Sequence, residues 1–134
     1  MVDVNVPVSA ALNPSSVPGQ VASAAFAQRF ELVISARLTD ELSAVLRRPK
    51  FAEFVTRDQV DGFTEAVEGA GHPAEDPAEV APFTRDEDDD YLVALAVVSE
   101  ADRIVTGDED LLEADGLPVR VLKPRQFLEE LDEP

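Results

Sequence analysis

Asp88-Asp89-Asp90-Tyr91-Leu92-Val93-Ala94-Leu95-Ala96-Val97-Val98-Ser99-Glu100, followed by Arg103-Ile104-Val105-Thr106-Gly107-Asp108, is the stretch that decides the fold. Acids fill its first turn, where they complement the positive end of a helix dipole, and Leu92, Leu95, Ala96 and Ser99 then line one flank. A helix is predicted over Asp88–Glu100. The β-branched run at Ile104, Val105 and Thr106 predicts a strand. Gly107-Asp108 then has the composition of a turn. A helix feeding a strand in this way is half of a parallel α/β unit.

The rest of the chain repeats that alternation. Val2 to Val4 reads as a short extended start, and Asn5 and Pro7 open a helix near residues 7–12. Asn13 to Gly19 is a turn-rich break, and Gln20 to Gln28 is Ala-rich and helical. Phe30 to Ile34 is a β-type run. Ser35 then caps a helix over Ala36–Arg48, in which Leu38, Leu42, Val45 and Leu46 make an apolar face until Pro49 ends it. A further helix follows the Thr56 cap, carries Val60, Phe63 and Val67, and runs out at Gly69–Gly71. Residues 72–87 are rich in Pro and acids, and a short strand within them has no assignable place. Asp110–Glu113 reads as a turn of helix, Val119–Leu122 as a strand, and Pro124 as the first residue of a closing helix through Leu131. The prediction is a single α/β domain over residues 1–134, three-layered α/β/α around a central parallel sheet, with its ligand site at the carboxyl ends of the strands.

Composition narrows the chemistry. The apolar share of 45% suits a folded protein. There is no cysteine, which removes disulfides, thiolate metal sites and cysteine nucleophiles. No apolar run approaches the roughly 20 residues that cross a bilayer, and no secretory leader pattern opens the chain, so a soluble, cytoplasmic protein is expected. Twenty-eight acids against eleven Lys and Arg give a net charge of −17. Taken alone, that charge opposes nucleic-acid binding, which normally rests on basic patches. The acids are nonetheless dispersed, and lysine is confined to Lys50 and Lys123. That pattern suits a very salty cytoplasm, where a Debye length of about 3 Å at 1 M salt screens both self-repulsion and repulsion of RNA. A merely acidic protein of ordinary habitat is the plain alternative.

Acids gathered from several elements suit Mg²⁺ or Mn²⁺, which take hard oxygen ligands and assist attack at phosphorus. His72, the only histidine, lies in a Gly/Pro-rich stretch and gives a Ser-His-Asp arrangement little support. No Gly-rich phosphate loop is present. Asp3 after a first strand could instead serve as a phosphoaspartate nucleophile.

Five segments, in order, resemble the PIN-domain family, in particular the VapC-like ribonucleases that are toxin components of toxin–antitoxin pairs. They are Val2-Asp3-Val4-Asn5-Val6-Pro7-Val8-Ser9-Ala10; Ser35-Ala36-Arg37-Leu38-Thr39-Asp40-Glu41-Leu42, continuing through Leu46-Arg47-Arg48-Pro49-Lys50-Phe51; Arg85 to Ala96; Ala101 to Leu112; and Val121 to Leu128. The resemblance implies a PIN-like fold with metal-binding catalytic carboxylates at Asp3, Glu41, Asp90 and Asp108, and Asp110 as a further metal ligand. It also implies supporting hydrogen bonds from Asn5 and Thr106. The implied activity is Mg²⁺- or Mn²⁺-dependent endoribonuclease cleavage by a homodimer held in check by an antitoxin protein. The 18 residues separating Asp90 from Asp108 leave room for a helix and then a strand.

Plainer roles stand beside these. The acids of Asp86–Asp90 satisfy free helix amides, which accounts for Asp88 or Asp89, and Asp90 is the ligand expected. Asp108 and Asp110 suit a turn after the strand. Arg47, Arg48 and Lys50 could contact RNA or an acidic partner, or simply stabilise a helix C-terminus. Phe26, Phe30, Phe51, Phe54, Phe63 and Phe127 read as packing residues. Val4 stands where the family usually has Thr, and the first strand is short. These departures leave open a catalytically inactive fold that acts by binding a partner protein.

Overall fold

The computed structural model describes residues 1–133; Pro134, the last residue of the expected domain, lies outside them. Seven helices are described: α1 (Asn5–Leu12), α2 (Val17–Phe26), α3 (Ala36–Leu46), α4 (Arg57–Ala70), α5 (Glu87–Val98), α6 (Glu109–Leu112) and α7 (Pro124–Asp132). They alternate with strands β1 (Leu32–Ile34), β2 (Gly71–Pro73), β3 (Arg103–Val105) and β4 (Arg120–Leu122). The fold is α/β, and every strand pairing described is parallel.

Local chemistry sets most boundaries. The Ser35 hydroxyl accepts from the Leu38 amide at 3.3 Å and starts α3. Thr56 and Gln59 form a capping box at the start of α4, with bonds of 3.1 and 2.8 Å. Helices α1 and α2 begin earlier than their turn-like sequence suggests, because Pro7 and Pro18 fall in first turns, where a missing amide costs nothing. Helix α3 stops at Leu46, two residues short of expectation. Pro49 forces Arg48 into extended backbone, with φ −60° and ψ 139°.

The strands are short, and they do not form one continuous ladder. Strand β3 pairs with β4 on one side and bridges to Val2 on the other, through Asp3 N to Val105 O and Val105 N to Met1 O, both 2.9 Å. Strands β1 and β2 form a second parallel pair. Strand β2 starts at Gly71, where the preceding helix is expected to run out, and reaches into residues 72–87, where a strand had no assignable place. A Cβ on Gly71 would come within 2.6 Å of the Ile34 side chain, so the pairing needs the glycine. His72, paired in register with Val33, is exposed.

Val21, Leu42, Leu46, Leu95, Ile104 and Leu111 are fully enclosed, and the apolar core runs from Met1 to Phe127. Helix α5 is buried without a break from Asp89 to Ala96. Phe127 packs edge-on against Phe30, with ring centres 4.8 Å apart. Phe26 packs edge-on against Phe63, ring centres 6.0 Å apart, but stays 41% exposed, and Phe54 departs further from the packing role expected of it at 64% exposed. Among the described residues no helix is long and apolar enough to cross a membrane.

Tyr91 ties α5 to two other segments. Its hydroxyl lies 2.7 Å from Ser35 Oγ and donates to Asp76. Burial, and then the Asp76 carboxylate, push its pKa up to about 12. The Arg37 guanidinium lies 3.9 Å over the ring and pairs with Asp88 at 3.2 Å. Tyr91→Phe is expected to lower stability by about 1 kcal/mol, the usual net worth of a hydrogen bond, as a lower urea midpoint at unchanged slope.

Candidate metal centre

Three carboxylates meet where the Val2–β3 bridge, β3 and α5 come together. Oxygens of Asp3, Asp89 and Asp108 all lie within 4.8 Å of one another. The backbone around each explains its position. Asp3 follows the residue that bridges to β3, at the carboxyl end of the strand pair, the usual ligand edge of an α/β fold. Asp108 follows β3 and caps α6, accepting from the Asp110 amide at 2.9 Å. Asp89 occupies the first turn of α5, whose cap is Asp86.

Thr106, completely buried, joins two of the three. Its hydroxyl donates to Asp3 Oδ2 at 2.7 Å and accepts from the Asp108 amide at 3.0 Å. The support expected from Asn5 comes through its backbone instead: the amide reaches Asp3 Oδ1 at 3.4 Å, while the side chain is exposed.

Asp90 requires a correction. The structure brings Asp89, rather than Asp90, to Asp3 and Asp108. Asp90 Oδ1 instead accepts the amides of Phe83 (2.9 Å) and Thr84 (2.7 Å), clamping the segment that precedes α5. The physical reason is helix phase, since neighbouring residues on a helix point about 100° apart. The flank of Leu92, Leu95, Ala96 and Ser99 does not separate the acids, because Asp88 precedes Leu92 by four residues and Asp89 by three.

Glu41 on α3 is half-buried and outside the three-carboxylate group. Burial, then the Asp88 charge, raises its pKa, and Asp3 adds to the effect, so its carboxylate lies within electrostatic reach of the cluster. Asp110 contributes its amide, and its exposed side chain is not in the group. Arg47, Arg48 and Lys50 are exposed and also outside it; Arg47 pairs with Asp61 and donates to Ser43 Oγ at 3.0 Å.

The electrostatics fit a cation. Burial raises the pKa of Asp3, partly offset by the Thr106 and Asn5 bonds. Burial likewise pushes Asp89 up to about 7, followed by its contact with Asp108 and the charges of Asp108, Asp86 and Asp3. Asp89 Oδ2 is buried with no hydrogen-bond partner. No ion pair among the described residues involves Asp3, Asp89 or Asp108. Three clustered acids, two of them buried and one with an orphaned oxygen, are costly unless a positive ion compensates them. An all-oxygen donor set fits a hard divalent ion.

The PIN domain family matches residues 1–110. The chain belongs to that family. It is also similar to the uncharacterized protein MJ1680 of Methanocaldococcus jannaschii, at 25% identity over 141 residues, covering 98% of this chain and 90% of the relative. No solved structure matches the chain significantly. PIN domains are generally nucleases and typically use divalent metal ions. The buried acidic cluster lies where such chemistry needs it, at the strand ends of an α/β fold.

Proposed function

We propose that this chain is a metal-dependent endoribonuclease and the toxin of a toxin–antitoxin pair. The observation that carries the catalytic part is the convergence of Asp3, Asp89 and Asp108, one of which, Asp89, has a buried oxygen with no hydrogen-bond partner. These three residues would hold Mg²⁺ or Mn²⁺, with Glu41 and Asp110 at the margin of the site. A bound divalent ion supplies Lewis-acid polarisation of a phosphoryl oxygen and lowers the pKa of an attacking water. The chain's own part is orientation. Thr106 holds Asp3 and Asp108 in a fixed relation, and the burial of Asp3 and Asp89 excludes bulk water from the acids. The toxin role, the antitoxin partner and a homodimer rest on the resemblance of the five sequence segments. The dispersed acidic surface supports a salty cytoplasm as the working environment.

The test is cleavage of a mixed single-stranded RNA pool with Mn²⁺, Mg²⁺ or EDTA, in low and molar salt. Cutting is expected only with metal, and more strongly in molar salt, where the charge of −17 is screened. A folded chain that cuts RNA under none of these conditions would overturn the catalytic reading and favour an inactive, partner-binding fold.

A further inference from the structure

Beside the acidic cluster lies a cleft of about 350 Å³, lined by Phe83, Thr84 and Arg85 on one side and by Asp110, Glu113 and Ala114 on the other. Both walls lead out of the metal centre. Arg85 adjoins Asp86, the cap of α5, and Asp110 lies two residues beyond Asp108 and is bonded to it. The volume falls in the range of small-ligand sites, about 300–1,000 Å³.

The walls differ in chemistry. Phe83 is 37% exposed, so part of its ring faces solvent instead of the core. Its backbone is nonetheless fixed, because its amide and that of Thr84 are bonded to buried Asp90. The Thr84 hydroxyl closes the next turn by donating to Asp86 O at 2.8 Å and accepting from Asp86 N at 3.1 Å. Arg85 is exposed and makes no ion pair among the described residues. An aromatic ring held in place gives up little conformational freedom when something stacks on it. Across the cleft, the carboxylates of Asp110 and Glu113 are acceptors only. They would repel a phosphate and attract N–H donors.

We propose that this cleft is a nucleobase subsite for single-stranded RNA, in which Phe83 stacks an unpaired base, Glu113 and Asp110 accept its N–H donors, and Arg85 meets the adjoining phosphate. The proposal rests on the nuclease reading above. An unpaired base is required because only a splayed base offers both its face and its Watson–Crick edge. The acceptor wall favours bases rich in donors on that edge, guanine above uracil. The role of Asp90 follows: it positions Phe83 by fixing the loop through the Phe83 and Thr84 amides. Phe83 is also the phenylalanine left out of the six read from sequence as packing residues.

The experiment compares the parent chain with Phe83→Ala, Phe83→Trp, Arg85→Ala and Glu113→Gln. Binding of a fluorescent single-stranded RNA is followed by anisotropy in EDTA, and KM for cleavage is followed with Mn²⁺. Base–aromatic stacking predicts that Phe83→Ala weakens binding, or raises KM, by roughly 5- to 150-fold, while Phe83→Trp retains the parent value. Arg85→Ala should weaken binding more in low salt than in molar salt, and Glu113→Gln should reduce the preference for G-containing over U-only strands. Phe83 is exposed, so these variants should fold, which circular dichroism checks. If the parent cuts RNA and Phe83→Ala matches it in binding and KM, the subsite is overturned and the nuclease reading stands. If the parent neither binds nor cuts RNA, both fall together.

Discussion

Asp89→Asn is expected to reduce metal-dependent cleavage by about 100-fold or more, whereas Asp90→Asn should cost less than about tenfold. Loss of a residue that merely supports a metal ligand typically costs 10–100-fold, so loss of a ligand should exceed it. Asp89 contributes to the three-carboxylate group and carries the oxygen with no partner. Asp90 spends its Oδ1 on the Phe83 and Thr84 amides, and an asparagine keeps a carbonyl oxygen able to accept them. A second readout separates charge from fold. In EDTA, Asp89→Asn should raise the thermal midpoint, because it removes a buried charge crowded by Asp108, Asp86 and Asp3. Lost activity together with gained metal-free stability is the signature of a metal-binding acid. If Asp90→Asn were the more damaging change, the site would have to be redrawn around Asp90.

Thr106→Val should weaken Mn²⁺ binding and cleavage by about 10- to 100-fold while leaving the fold intact. Valine has nearly the same shape, so packing in this fully buried position is kept. What disappears is the hydroxyl that donates to Asp3 Oδ2 and accepts from the Asp108 amide. The Asp108 amide is then left without that partner, which should lower stability by about 1–3 kcal/mol. Thr106→Ser restores the hydroxyl and should recover most of the metal affinity, measured by calorimetry. Equal metal affinity in the valine and serine variants would show that Thr106 is only a packing residue.

Much of the fold is legible without coordinates. Ser35, Thr56 and Pro124 mark helix starts through groups whose hydrogen bonding or fixed φ acts locally. Residues Ile104 and Val105 mark a strand by side-chain shape. Strand β2 escaped because Gly71-His72-Pro73 has no strand-forming residues; it is extended because β1 offers it a partner and Gly71 lets Ile34 approach. Phe26 and Phe54 look like core residues from their spacing, but spacing cannot tell which face of a helix or turn another element covers.

The acidic cluster divides in the same way. From the sequence, the resemblance implied carboxylates at Asp3, Glu41, Asp90 and Asp108, on a parallel α/β fold whose alternating helices and strands return to one ligand-binding edge. It also supplied Thr106 as a hydroxyl beside them. Which acid of α5 turns inward was left to the tertiary structure. Helix α5 is buried from Asp89 to Ala96, so its hydrophobic pattern marks no single inner face, and one residue of rotation exchanges Asp89 for Asp90. That rotation is set by distant partners: Tyr91 on Ser35 and Asp76, and Asp90 on the Phe83 and Thr84 amides. Local propensity decides that a helix forms here; only contacts across the fold decide which carboxylate it delivers to the cluster.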